Sequence, residues 1–179
     1  YSGLASQEMD VVHCGVDDQL FTPDGPAHEH TRATILFVGY VVENKGAHIV
    51  ADAMLRIREK YPDVLLLFLG RHDTECADNI RAKVTAAGAD NNVCFAGFVP
   101  LTDLPQYYRA ADLFSSPAEF EGGTAGTYLE AMACGLPLVV STAGGGAEAV
   151  SDGETGLLVP PNDVAATAAA FDKLLGEAA

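Results

Sequence analysis

Residues 119–130, Glu-Phe-Glu-Gly-Gly-Thr-Ala-Gly-Thr-Tyr-Leu-Glu, combine two kinds of chemistry that seldom serve one ligand. Gly122, Gly123 and Gly126 surround Thr124 and Ala125, with Thr127 following where a helix is expected to start. Glycines let a backbone approach a ligand closely, and the free N–H groups of a helix start favour an anion. Yet Glu119, Glu121 and Glu130 stand around that stretch and would repel one. Carboxylates do, however, accept charge-assisted hydrogen bonds from sugar hydroxyls. Glu130 is the only charge between Gly122 and Leu138. An unpaired buried carboxylate is costly, so Glu130 is either solvated or occupied. The competing reading of the glycines is an ordinary strand-to-helix turn.

A second stretch has a cation in an unusual place. Lys45-Gly46 falls after the apolar run "ATILFVG" (33–39) and before a helical pattern with Ile49, Ala53 and Ile57 on one face. A lysine at a helix start is unfavourable for the helix dipole, which makes an anion a reasonable partner; the alternative is a solvated surface lysine. A nucleotide-sugar meets all these demands. Its diphosphate suits the amides and Lys45, its ribose suits one glutamate, and its hexose suits another.

These residues need elements to hold them. Apolar runs ending in turns alternate with helical patterns: runs at 33–39, 63–70, 92–97, 111–116, 136–142 and 155–161, with helices between and after them. Strands apolar throughout are buried on both faces and read as a parallel sheet. The alternation predicts α/β architecture: one Rossmann-like, doubly wound domain over residues 33–179 with about six strands. Residues 1–32 read as a leading segment and loop. In the strand order 3-2-1-4-5-6, ligands bind outside the carboxyl ends of strands 1 and 4, where the order reverses. The loops there are 39–46 and 116–126, which contain both stretches.

Composition narrows the alternatives. The chain has 179 residues, is 49% apolar and 20% charged, and carries a formal charge of −15. No basic stripe exists to meet nucleic acid or an anionic membrane, and no run is long enough for a transmembrane helix. Cys14, Cys76, Cys94 and Cys134 are scattered without a C-x-x-C pair and read as reduced thiols in a cytoplasmic protein. Neither G-x-G-x-x-G nor G-x-x-x-x-G-K-[ST] occurs, which removes the defining feature of a dinucleotide oxidoreductase or a P-loop enzyme. His28-Glu-His30 has no third ligand nearby, so no metal site is assigned; His13 reads as part of a turn, and His48, early in the first helix, reads as a helix-surface residue, with an approach to the site as the alternative. The run "AGGGAEAV" (143–150) is a third glycine loop that contacts a sugar or simply turns the chain.

The residues also match a known family. "ILFVGYVVENKGAHIVADAM", "VCFAGFVPLTDLPQYYRAADLFSSPA" and "LEAMACGLPLVVSTAGGGAEAVSDGETGLLVPP" follow one another over nearly the whole chain. In that order they resemble the C-terminal, donor-binding domain of GT-B-fold glycosyltransferases, nearest the retaining family-4 type. The resemblance implies hexosyl transfer from a nucleotide-diphosphate sugar, with retention, without a metal or other cofactor. It also implies an N-terminal acceptor-binding domain upstream. Lys45 would bind the diphosphate, with Gly39 beside it, and Glu130 would hold the ribose as the second glutamate of an E-x7-E motif. The backbone around Phe95, Gly97 and Phe98 would border the base, while Gly122 to Gly126 and Thr127 would face phosphate and sugar. Two positions depart from the family pattern. Tyr40 stands where an arginine usually accompanies the lysine. Gly122 occupies the first glutamate's position, so Glu121, displaced by one residue, takes the catalytic role. Those departures leave an alternative: a non-catalytic or degenerate nucleotide-binding domain.

Overall fold

The computed structural model describes residues 14–29, 31–143 and 145–177. Its core is one parallel sheet of six strands. β1 (Thr34–Val38), β2 (Leu65–Leu69) and β3 (Val93–Gly97) form one half. β4 (Leu113–Ser116), β5 (Leu138–Ser141) and β6 (Gly156–Val159) form the other. The order is β3-β2-β1-β4-β5-β6, and every pairing is parallel. The predicted order is therefore the observed one. α1 (Ala47–Ile57), α2 (Glu75–Ala86), α3 (Leu104–Ala110), α4 (Gly126–Ala133), α5 (Gly145–Ala149) and α6 (Val164–Glu177) complete the fold.

The pleat divides the apolar side chains between two layers, because successive residues of a strand point to opposite faces. Ile35, Phe37, Leu66, Phe68 and Leu113 pack with α1, α2 and α6. Leu36, Leu67, Leu69, Phe114, Leu138 and Val140 pack with Tyr108 of α3 and Tyr128 and Ala131 of α4. α1 thus leaves β1 toward one face and α4 leaves β4 toward the other. Their connecting loops diverge to opposite faces from the β1–β4 junction, the switch point where a crevice is expected in such a sheet. Phe21, from the leading segment, is 3% exposed and fills the second layer beside Tyr108.

Two local expectations differ from the structure. β3 is only half-buried and β6 partly so, because both lie at the edges of the sheet and keep one side open. The strands are shorter than their apolar runs: the run 63–70 yields Leu65–Leu69, since Val64 closes a turn on the Tyr61 carbonyl. In α4 Tyr128 and Ala131 are buried, and Met132 and Ala133 pack partly buried against the same layer. The Tyr128 hydroxyl donates to the Ser116 carbonyl over 3.0 Å, which turns the helix so that this ring enters the core. Asp163 caps α6, accepting from the Ala166 amide at 2.9 Å.

Candidate functional site

The two loops flanking the crevice are fastened to each other. After β1 the chain makes a 3-10 turn, Glu43–Lys45, and Gly46 then starts α1 with φ of 74°. Ser116 Oγ donates to the Lys45 carbonyl at 3.1 Å, and the Glu119 amide donates to the Asn44 carbonyl at 3.0 Å. A Cβ on Gly46 would stand 2.4 Å from the Pro117 carbonyl oxygen. The glycine is therefore required twice, by its left-handed backbone and by the closeness of the other loop.

Across this junction the Lys45 ammonium is ion-paired with the Glu121 carboxylate. Glu121 is the more enclosed partner, with 12% of its side chain exposed against 37% for Lys45. Beyond Glu121, the loop of Gly122, Gly123, Thr124 and Ala125 leads into Gly126 and Thr127, the first residues of α4. Among the described residues no side chain caps that helix start, and while the Tyr128 amide bonds to the Ala125 carbonyl at 3.0 Å, the Gly126 and Thr127 amides are left for an acceptor. The third glycine loop supports this one. Gly145 packs so closely on Gly123 that a Cβ would fall 1.8 Å from its carbonyl oxygen, and Ser141 Oγ donates to the Ala118 carbonyl at 2.5 Å. From the leading segment, Cys14 Sγ donates to the Thr124 carbonyl at 3.1 Å.

Glu130 lies one turn into α4, half-buried, and accepts from the Tyr108 hydroxyl at 2.8 Å. Burial first, and the neighbouring Glu130 charge second, hold the Tyr108 phenol well above its ordinary pKa. Tyr128 is raised as well, by burial and then by Glu121. Both phenols therefore remain donors.

Beside the crevice, the carboxyl ends of β1, β2 and β3 enclose a cleft of about 650 Å³. Gly39, Tyr40, Arg71, Gly97, Phe98 and Leu104 are among its lining residues. Its floor is main chain: the Gly39 amide bonds to the Leu69 carbonyl at 2.9 Å, and the Gly70 amide to the Gly97 carbonyl at 2.7 Å. Arg71 lies 5.9 Å from the Tyr40 ring centroid and donates to Asp73 at 2.5 and 3.0 Å.

The structure thus gathers Gly39, Gly97 and Phe98 at the cleft, and Lys45, Glu121 and the 122–127 stretch at the crevice. Phe95 is in neither place. It stacks on Phe68 with centroids 4.9 Å apart, under the Arg81 guanidinium at 4.3 Å, because its strand position faces α2. His48 is half-buried, and its Nδ1 has no hydrogen-bond partner among the described residues. His28 lies against the Tyr107 ring at 4.1 Å. His13, His30 and Gly144 lie outside the described residues. Among the described residues, no cluster of His, Cys, Asp or Glu could hold a metal ion, and no helix is long and apolar enough to cross a membrane. Sequence reasoning missed Tyr108 as Glu130's partner and Leu104 as cleft lining. Their separation of four residues in "LPQYYRA" was the available signal, since it places both on one helical face.

The family model described as "Glycosyl transferases group 1" matches residues 32–177. This chain belongs to that family. The group 1 chain is 37% identical over 177 residues to a D-inositol 3-phosphate glycosyltransferase of a Mycobacterium species, covering 93% of this chain and 39% of the relative. It is 30% identical over 186 residues to a GDP-mannose-dependent alpha-(1-6)-phosphatidylinositol monomannoside mannosyltransferase of Mycolicibacterium smegmatis, covering 96% and 48%. It therefore spans less than half the length of these curated relatives. A solved C-terminal domain of a group 1 glycosyl transferase, LpcC from Francisella tularensis, superposes with a TM-score of 0.77 at 26% identity, covering 92% of this chain and 89% of that one. The group 1 chain thus corresponds to the C-terminal-like half of these glycosyltransferases.

Proposed function

We propose that this chain binds a nucleotide-diphosphate sugar and presents its hexosyl group for transfer, with retention and without a metal ion, to an acceptor held by an upstream domain. The observation that carries this reading is the meeting of Lys45, Glu121 and the uncapped start of α4 at the crevice, beside a cleft floored by main chain. In this reading Lys45 and the α4 amides hold the diphosphate and stabilise the charge it gains as the glycosidic bond breaks. Glu121 accepts from hexose hydroxyls and positions the anomeric carbon, and Glu130 accepts from the ribose. The base occupies the cleft between Gly97–Phe98 and Gly39–Tyr40. The 30%-identical relative is named for dependence on GDP-mannose, which supports a nucleotide-sugar donor. Four free thiols suit a reducing compartment, which favours the cytoplasm.

Calorimetry of the 179-residue chain with UDP-, GDP- and ADP-sugars tests the reading. One of them binds, and Lys45→Ala and Glu130→Ala each weaken it by roughly tenfold or more. Tyr40, standing where the family pattern has arginine, favours a second reading: a degenerate domain that retains the fold without donor affinity. Failure of every nucleotide to bind would decide for it.

A further inference from the structure

The Tyr108–Glu130 bond is built with more care than a surface contact requires. Tyr108 is fully buried. Its ring meets Phe21 edge-on at 5.9 Å and Phe114 at 6.2 Å, so it has little freedom left to lose when its hydroxyl bonds to Glu130. The hydroxyl has one proton, and it goes to Glu130 Oε2 at 2.8 Å. A carboxylate has two oxygens and about four acceptor positions, which leaves Oε1 uncommitted to Tyr108. α3 also connects the two parts of the site: Leu104 lines the cleft, and Tyr108, one turn later, reaches Glu130. Any ligand that spans cleft and crevice passes between residues fixed by this one short helix.

We infer that Tyr108 is a positioning residue: its hydroxyl locks the Glu130 carboxylate in the rotamer that holds Oε1 for the vicinal hydroxyls of a nucleotide's ribose. The inference rests on the reading of Glu130 as the ribose acceptor. A flexible glutamate must give up side-chain freedom when it binds a diol; the buried phenol removes that cost beforehand. Tyr108 itself touches no ligand, so its effect must appear only where ribose hydroxyls are present.

The test is calorimetry of the full chain and Tyr108→Phe with UDP, GDP and ADP, followed by the 2′,3′-dideoxy form of whichever binds tightest. Tyr108→Phe weakens the parent nucleotide about tenfold, the scale of one hydrogen bond to a charged group. It leaves the dideoxy form within about twofold, and this unchanged binding also reports that the variant is folded. In a Glu130→Ala background, Tyr108→Phe has no further effect on either ligand, because the two residues act as one unit. Equal losses for both nucleotides, no loss for either, or additive losses in the double variant would overturn the assignment while the donor reading stands. Binding that is insensitive to Glu130→Ala would remove its basis. A wild-type chain that binds no nucleotide overturns the donor reading and this assignment together.

Discussion

Lys45 and Glu121, 76 positions apart in sequence, are ion-paired across the junction of the β1 and β4 loops. In the proposed reading, the pair sets a cation and a carboxylate where the donor's phosphate and sugar would meet. It also means that an arriving diphosphate competes with Glu121 for Lys45. Glu121→Gln removes the competing charge, so affinity for a nucleoside diphosphate lacking a sugar rises severalfold, while affinity for the matching nucleotide-sugar falls by roughly tenfold, if Glu121 accepts from the sugar as proposed. Lys45→Ala lowers affinity for both ligands by at least about tenfold. Titration calorimetry of the three proteins separates these outcomes; a fall in diphosphate affinity in Glu121→Gln contradicts the competition.

Gly46 determines how closely the two loops approach. Alanine there faces both a left-handed backbone at φ of 74° and a Pro117 carbonyl oxygen 2.4 Å from its Cβ. The loops must part, breaking the bonds from Ser116 to Lys45 and from Glu119 to Asn44. Gly46→Ala costs about 2–4 kcal/mol of stability, which corresponds to a fall in melting temperature of roughly 4–16 °C for a domain of this size. It also separates Lys45 from Glu121 and weakens nucleotide binding. Thermal unfolding measured beside calorimetry checks both; an unshifted melting temperature would mean that the contact is not tight in solution.

The fold was legible because its signals are local and repeated. Unbroken apolar runs such as Leu65–Leu69 can only be buried on both faces, and the helical patterns between them leave a doubly wound parallel sheet as the consistent arrangement. Strand order then set the loops 39–46 and 116–126 side by side, and Lys45 and Glu121 meet across them. What escaped were relationships between side chains far apart in sequence. Nothing local to Glu130 says that Tyr108 donates to it, or that Glu121 meets Lys45 rather than solvent. Phe95 was misplaced for a different reason. The backbone of β3 does run to the cleft, at Gly97, but alternation sends the Phe95 ring to the α2 face. The rotation of α4 depended on one phenol reaching the Ser116 carbonyl, which periodicity cannot anticipate.

The contrast between Phe95 and Phe98 separates packing from binding. Phe95 is stacked between Phe68 and the Arg81 guanidinium, whereas Phe98 lines the cleft and is 84% exposed. Phe95→Ala destabilises the fold by roughly 2–3 kcal/mol, below the range for a fully buried ring because Phe95 is only partly buried. Nucleotide affinity changes less than about twofold. Phe98→Ala leaves stability within about 0.5 kcal/mol and lowers nucleotide affinity severalfold, through loss of an aromatic surface at the base. Denaturant unfolding and calorimetry on both variants are sufficient. Equal effects on stability would place Phe98 in the core instead of at the cleft.

The four thiols divide into two pairs by exposure. Cys14 and Cys94 are exposed, and Cys76 and Cys134 are buried. Burial pushes both inner thiols up; the Glu43 charge adds to the rise at Cys76 and the Glu130 charge to that at Cys134, while Arg109 opposes it at Cys134. Since the thiolate is the nucleophile, a raised pKa keeps these two in the unreactive form further up the pH scale. At pH 8, iodoacetamide alkylates two cysteines quickly, while the other two lag by on the order of tenfold or more. Raising the pH speeds alkylation of the inner pair, because their raised pKa defers their gain of thiolate to higher pH. Peptide mapping after timed alkylation at pH 7, 8 and 9.5 identifies the sites. Cys76 or Cys134 in the fast pair at pH 8 would contradict the packing of α2 or of α4 described above.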